Sequence, residues 1–319
     1  MTETLNAANT NEFKSDSVNF IPEIRKMMYG FGDCSEPLVE SAKIINSVVH
    51  REIRNIICES CKIADMRDSS IVEDKDLLFL LRHDKIQLQR LIKYLDLKEF
   101  KSSINKVLEA ESVDGCPGID ESKKKSSHHK FIQSIDNIGD LTDTGDITDV
   151  VKLNRELRAE LASRKLNTVQ YFEYTKARSA SFANKFSPKF ITWLATEDIK
   201  MSKTVYTILS YLAYETVAQI VDLALLVRQD QNKIYGDSLD RVKLNYCNPT
   251  TYKPYQHGRV SNNNSCNINK LSPGINPISP AEINEALRRY WSPHLDRVGP
   301  FQRRSLHRLD RKFLSFQTG

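Results

Sequence analysis

Three polar residues stand out for the chemistry they offer. Glu215, Gln219 and Asp222 are spaced four and three residues apart within the run ILSYLAYETVAQIVDLALLV (208–227), whose other positions are nearly all apolar. Spacings of three and four place side chains on one face of a helix, so two carboxylates and an amide form a single stripe. The stripe has two readings: a plain edge toward solvent, or an acidic contact for a basic partner. With the rest of the helix apolar, the stripe is expected to point outward. Glu215, flanked by the aromatic Tyr211 and Tyr214, is the first candidate for a partner contact, with Gln219 and Asp222 beside it.

Other reactive residues carry less. Cys58 and Cys61 have the spacing of a metal-binding pair, but they sit inside a strong helical pattern and no second Cys-x-x-Cys answers them. His128 and His129 lie in a polar run, so the cysteines read as two helix-packed thiols. Six cysteines scattered over 319 residues are too few for a disulfide framework and suggest reduced thiols inside a cell. No GxGxxG, P-loop, H-E-x-x-H or G-x-S-x-G is present. The expectation is no enzyme, no cofactor, no metal and no small-molecule substrate.

The elements that position these residues are helices. Gly and Pro number only 11 each, too few turn formers for a sandwich or barrel of this length. After a polar segment over 1–19, Pro22 suits the first turn of a short helix, with Gly32-Asp33 as the turn behind it. Pro37 then opens a very long helix. Its apolar positions Leu38, Ala42, Ile45, Val49, Ile53, Ile56 and Ile63 make one stripe, and roughly 28 residues of helix span about 42 Å. A short helix with Leu77, Leu78, Leu80 and Leu81 follows, and another begins near Asp84.

The plan then recurs. Ser187-Pro188 starts a short helix with Phe190 and Trp193, and a second very long helix runs over 203–231. A membrane span competes for that helix, but Glu215, Gln219 and Asp222 make one costly. No uninterrupted apolar leader or span is found, so no membrane partner is expected. Ser279-Pro280-Ala281-Glu282 is a capping box that opens a last short helix. Short, long, short is the order of the histone fold, and a long helix flanked by two short ones leaves an apolar stripe that needs a partner. Two such halves in one chain can pair with each other. Ile45, Val49, Ile53 and Ile56 of the first, and Leu212, Ile220 and Leu223 of the second, are the candidate pairing core.

Charge is uneven. From Ala286 onward eight basic residues face two acidic ones, while the chain as a whole carries +5. The body is near neutral and the tail is basic, a pattern that suits an acidic partner or promoter DNA. The short Lys123-Lys124-Lys125 run is compatible with nuclear import.

The segments IPEIRKMMYGFGD (21–33), DLLFLLRHDK (76–85) and ILSYLAYETVAQIVDLALLVRQD (208–230) resemble the suppressor-of-Ty three family, a histone-fold subunit of the SAGA coactivator. The resemblance implies two histone folds pairing within the chain, other SAGA subunits and TATA-binding protein as partners, and a nuclear location. It also implies a loop–helix ion pair; the family's loop arginine is replaced here by Ser70, which leaves Arg67 as the candidate partner of Asp76. Where the family's third helix opens with Ser-Pro, Glu73-Asp74 stand. Glu215, Gln219 and Asp222 are then the expected contact for the strongly basic TATA-binding protein.

The expected organisation is all-α. A disordered tail covers 1–19, a first histone fold with an extra C-terminal helix 20–100, and a flexible linker 101–166 that includes a charged, exposed helix from Leu153 to Leu166. A second histone fold covers 167–292 with an insertion over 233–277, and a basic tail covers 293–319. The expected function is a non-enzymatic transcription coactivator; a histone-like DNA-binding pair and a TFIID-type subunit are the alternatives.

Overall fold

The computed structural model describes residues 18–110, 127–139, 141, 149–182, 188–196, 198–231 and 276–291. The expected tail over 1–17, most of the insertion (232–275) and the basic tail from 292 lie outside these residues. Among the described residues ten α-helices follow one another: α1 (Ile21–Phe31), α2 (Val39–Met66), α3 (Asp74–Leu80), α4 (Lys85–Ala110), α5 (Ser127–Ile135), α6 (Val150–Ser163), α7 (Thr168–Arg178), α8 (Pro188–Leu194), α9 (Lys203–Gln231) and α10 (Pro280–Tyr290). A 3-10 turn over Leu81–His83 joins α3 to α4. No β-strand occurs among the described residues, apart from one isolated parallel bridge between Val72 and Met201.

Helix α9 is the centre of the packing. It is long and apolar enough to cross a bilayer, yet 89% of its apolar window is buried inside the fold. Helices α1, α2, α3 and α10 all pack against it. The apolar positions named from sequence meet in one core: Ile45, Val49, Ile53 and Ile56 of α2 and Leu212, Ile220 and Leu223 of α9 belong to a single buried cluster. The loops that follow α2 and precede α9 also join, through Val72 N–H donating to the Lys200 carbonyl (3.0 Å) and Ser202 N–H donating to the Val72 carbonyl (3.1 Å). A ring cluster of Phe20, Phe182, Phe190 and Trp193 fastens the start of α1 to α8. At Gly30 the backbones of α1 and α7 approach so closely that a Cβ would lie 3.3 Å from the Ala177 carbonyl oxygen.

One device closes both long helices. After α2, Arg67 donates to both oxygens of Asp76 (3.1 and 3.0 Å), and Asp76 in turn accepts the backbone N–H of Glu73 (2.8 Å) at the start of α3. Near the end of α9, Arg228 donates to both oxygens of Glu282 (2.6 and 2.8 Å). Glu282 also accepts the backbone N–H of Ser279 (2.7 Å), while Ser279 Oγ accepts that of Glu282 (3.3 Å), which caps α10. In each case an arginine at a helix C-terminus holds a carboxylate in the first turn of the next helix, where both ends of the ion pair oppose the helix dipoles favourably. Buried Asp33 ties in the segment before α10 by accepting the Ile278 N–H at 2.9 Å.

The expected flexible linker is partly corrected. Helix α4 continues to Ala110, and α5 and α6 both dock on the body. On α5, Ile132 enters the core and His128 is buried, its Nδ1 lying 3.0 Å from Asp74 of α3 and its Nε2 3.5 Å from Glu99 of α4. Neighbouring His129 faces Asp96 at 3.1 Å. The Asp74 carboxylate raises the His128 pKa above its ordinary 6.5 against the effect of burial, and His128 lowers that of Asp74 below its ordinary 3.8.

Two outcomes are expected from this packing. A histidine whose pKa is raised on docking contributes stability that is complete below the undocked value and fades as pH rises through the docked one; a lowered carboxylate contributes above its undocked value. Amide exchange of residues 127–135, corrected for intrinsic rates, should be slowest between the ordinary values of 3.8 and 6.5 and should quicken as pH rises beyond that window. His128→Ala should abolish the dependence. In urea melts, Leu212→Ala should cost about 2–5 kcal/mol, whereas Leu97→Ala, on the exposed side of α4, should change stability by less than about 0.5 kcal/mol.

Candidate functional site

Glu215, Gln219 and Asp222 do share one face of α9, but that face is not open to water. Their exposures are 6%, 1% and 2%. The expectation of an outward-pointing stripe is therefore corrected: another part of the chain covers it. The cover is α6, the charged helix that sequence reading assigned to an exposed part of the linker. Its Asp149 cap side chain accepts the Lys152 N–H at 3.0 Å and fixes the start of the helix. Spacings of three and four along α6 then put Asn154, Arg155 and Arg158 on the buried side.

Three arginines meet three carboxylates there. Arg155 donates through Nη1 to Glu215 (2.9 Å) and through Nε to Asp222 (2.6 Å), bridging the two ends of the stripe. Arg158 pairs with the other oxygen of Asp222. Arg90, from α4, adds a longer contact to Glu215 (3.3 Å) and grips Asp149 through Nε and Nη2. The network thus joins α4, α6 and α9 with its charges balanced. Burial works against the charge on Arg155, but Asp222 and Glu215 overcome it and hold its pKa above the ordinary guanidinium value. Burial, helped by Glu215, pushes the Tyr214 hydroxyl up to about 12, so it remains a neutral wall of the site.

The end of α1 is shaped to admit α6. Gly32 has φ +119°, and a Cβ there would come within 2.8 Å of Arg158 Cδ. Both its backbone conformation and the passage of the arginine favour glycine. The Arg155 guanidinium lies over the Phe31 ring at 5.8 Å from its centroid.

The remaining candidates fall elsewhere. Arg67 and Asp76, and Ser279 and Glu282, are brought together as helix closures at the two ends of the long helices. The thiols of Cys58 and Cys61 are free on α2, while His128 and His129 face carboxylates of α3 and α4. Among the described residues no group of three or more His, Cys, Asp and Glu side chains is arranged to hold a metal ion. Sequence reading missed Arg90, Arg155 and Arg158 as partners of the stripe. The signal available was the i, i+3 arginine pair on α6, opposite in charge to the carboxylates of α9.

Reversing a buried, paired charge leaves the arginines facing a like charge without water, at about 3–5 kcal/mol. Glu215→Lys is therefore expected to lower the melting temperature by several degrees. Glu215→Gln, which keeps the shape, should cost less. Differential scanning calorimetry of the three proteins checks this order; a lysine variant as stable as the parent would contradict the buried network.

Residues 18–110, which include α1 to α4, match the family described as transcription initiation factor IID, 18 kD subunit. Over 322 aligned residues the chain is 24% identical to the SAGA complex subunit SPT3 of Saccharomyces cerevisiae, covering 86% of this chain and 91% of that protein. It is 25% identical over 294 residues to the SAGA complex subunit Spt3 of Drosophila melanogaster, covering 89% and 71% respectively. The transcription initiation factor TFIID subunit 13 of Dictyostelium discoideum is 30% identical over 95 residues, 30% of this chain and 88% of that protein. Similarity to the Spt3 proteins runs through both halves of the chain, whereas similarity to the TFIID 18 kD unit is confined to 18–110.

Proposed function

We propose that this protein is a non-enzymatic coactivator subunit of a SAGA-type complex in the nucleus, built as two histone folds that pair within one chain, and that it binds TATA-binding protein for delivery to promoters. The observation that carries the pairing is the core shared by α2 and α9, together with the Val72–Met201 bridge between their loops. Two halves with the same helix order, each closed by an arginine–carboxylate clamp, cover each other's apolar stripes. The SAGA role is supported by relatives named as SAGA subunits that align over most of both chains. A TFIID-type subunit is the second reading, favoured by the match over 18–110 alone. The near-neutral body argues against DNA binding as the main activity, leaving any promoter contact to the basic residues after Ala286.

Two measurements test this. A protease site placed within 142–148 of the full chain should, after cleavage, leave the two pieces eluting together at 1:1; separation into two folded monomers would overturn the pairing. Affinity purification of the tagged chain from nuclei should recover SAGA subunits, and calorimetry with purified TATA-binding protein should give a 1:1 complex. Recovery of TFIID subunits in place of SAGA would favour the second reading.

A further inference from the structure

Helix α6 is docked inside out. Val150, Leu153, Leu157 and Leu161 are 36–45% exposed, while Val151, Asn154, Arg158 and Ala159 are buried and the Arg155 side chain is 12% exposed. None of its side chains joins the apolar core that unites α1 to α4 with α9. Apart from the buried Val151 and Ala159, what holds it is the charge network, the fit of Arg158 beside Gly32 and the stack of Arg155 over Phe31. The network is not fully satisfied either, since Arg155 Nη2 is buried without an acceptor. A helix held by ion pairs contributes little beyond what another arginine-bearing segment would contribute in its place, because the desolvation of the charges offsets most of their attraction. By contrast, a helix held by core leucines has no such substitute.

From this we infer that the Glu215–Asp222 face of α9 is a docking groove for an arginine-bearing segment, and that α6 is its exchangeable internal occupant. Docked, α6 masks both carboxylates; released, it leaves them to the arginines of a basic partner. The partner is identified by its chemistry: a basic protein surface that presents guanidinium groups at helical spacing. Polyanions such as DNA are excluded by the sign of the groove. This rests on the reading that the chain binds the basic TATA-binding protein, and adds that the chain itself competes for the contact. A groove open only in a fraction of molecules lowers the apparent affinity by that fraction.

The test uses the full chain and the double variant Arg155→Ala/Arg158→Ala. A synthetic peptide covering residues 149–166 should bind the variant in trans and not the parent. TATA-binding protein should bind the variant at least about tenfold more tightly than the parent. In the parent, saturating TATA-binding protein should speed amide exchange over 150–163. Equal affinities with α6 still protected would overturn the masking while leaving the binding reading intact. Capture of the peptide by the variant, with TATA-binding protein bound by neither protein, would uphold the exchangeable groove and sink the binding reading. Loss of a cooperative melt in the double variant would overturn the inference, because α6 would then be part of the folded core.

Discussion

Helix α9 must be kept from water along nearly its whole length, and the helices packed against it are placed by that need. A helix of 29 residues that is apolar on almost every side cannot be hidden by the two short helices next to it in sequence. It is hidden by α10 together with α1, α2 and α3 from the first half. The first half has the reciprocal need, since the 28-residue α2 carries a continuous apolar stripe of its own. The hydrophobic effect is satisfied for both by one shared core, which explains why sites as distant in sequence as Ile53 and Leu212 are both inaccessible.

Charge completes what apolar burial leaves open. The stripe Glu215–Gln219–Asp222 is a polar seam on α9, and an unpaired carboxylate there would be severely penalised away from water. The chain meets it with arginines from two other elements, so that α4, α6 and α9 are fixed relative to one another by a balanced set of ion pairs. Gly32 leaves the space through which Arg158 reaches the seam, making a turn at the end of α1 part of the same arrangement. Elsewhere the same chemistry acts locally: Arg67–Asp76 and Arg228–Glu282 each bind the end of a long helix to the start of a short one. The same clamp thus recurs at the ends of both long helices.

Much of the fold was legible in the residues because its signals are local. Helical spacing and the absence of breakers placed α2 over about 38–66 and α9 over 203–231, and the capping box at Ser279–Glu282 marked the start of α10. The apolar positions at steps of three and four are the ones that fill the core. Family resemblance carried the remaining step from helix order to kind of protein, through segments such as 208–230 that few other chains would share.

That Glu215, Gln219 and Asp222 lie on one helix face follows from residue order alone, because the period of the α-helix makes it a matter of spacing. Whether that face meets water was decided only by the tertiary structure. A polar stripe on an apolar helix is equally consistent with solvent and with a complementary set of arginines, and periodicity on α9 holds no information about a helix 60 residues earlier in the chain. The same holds for α6. Its leucines at 153, 157 and 161 and its arginines at 155 and 158 define two faces, and hydrophobicity alone would bury the leucines. Only the placement of buried carboxylates beside it reverses that choice, since leaving those charges unpaired costs more than exposing part of three leucine side chains.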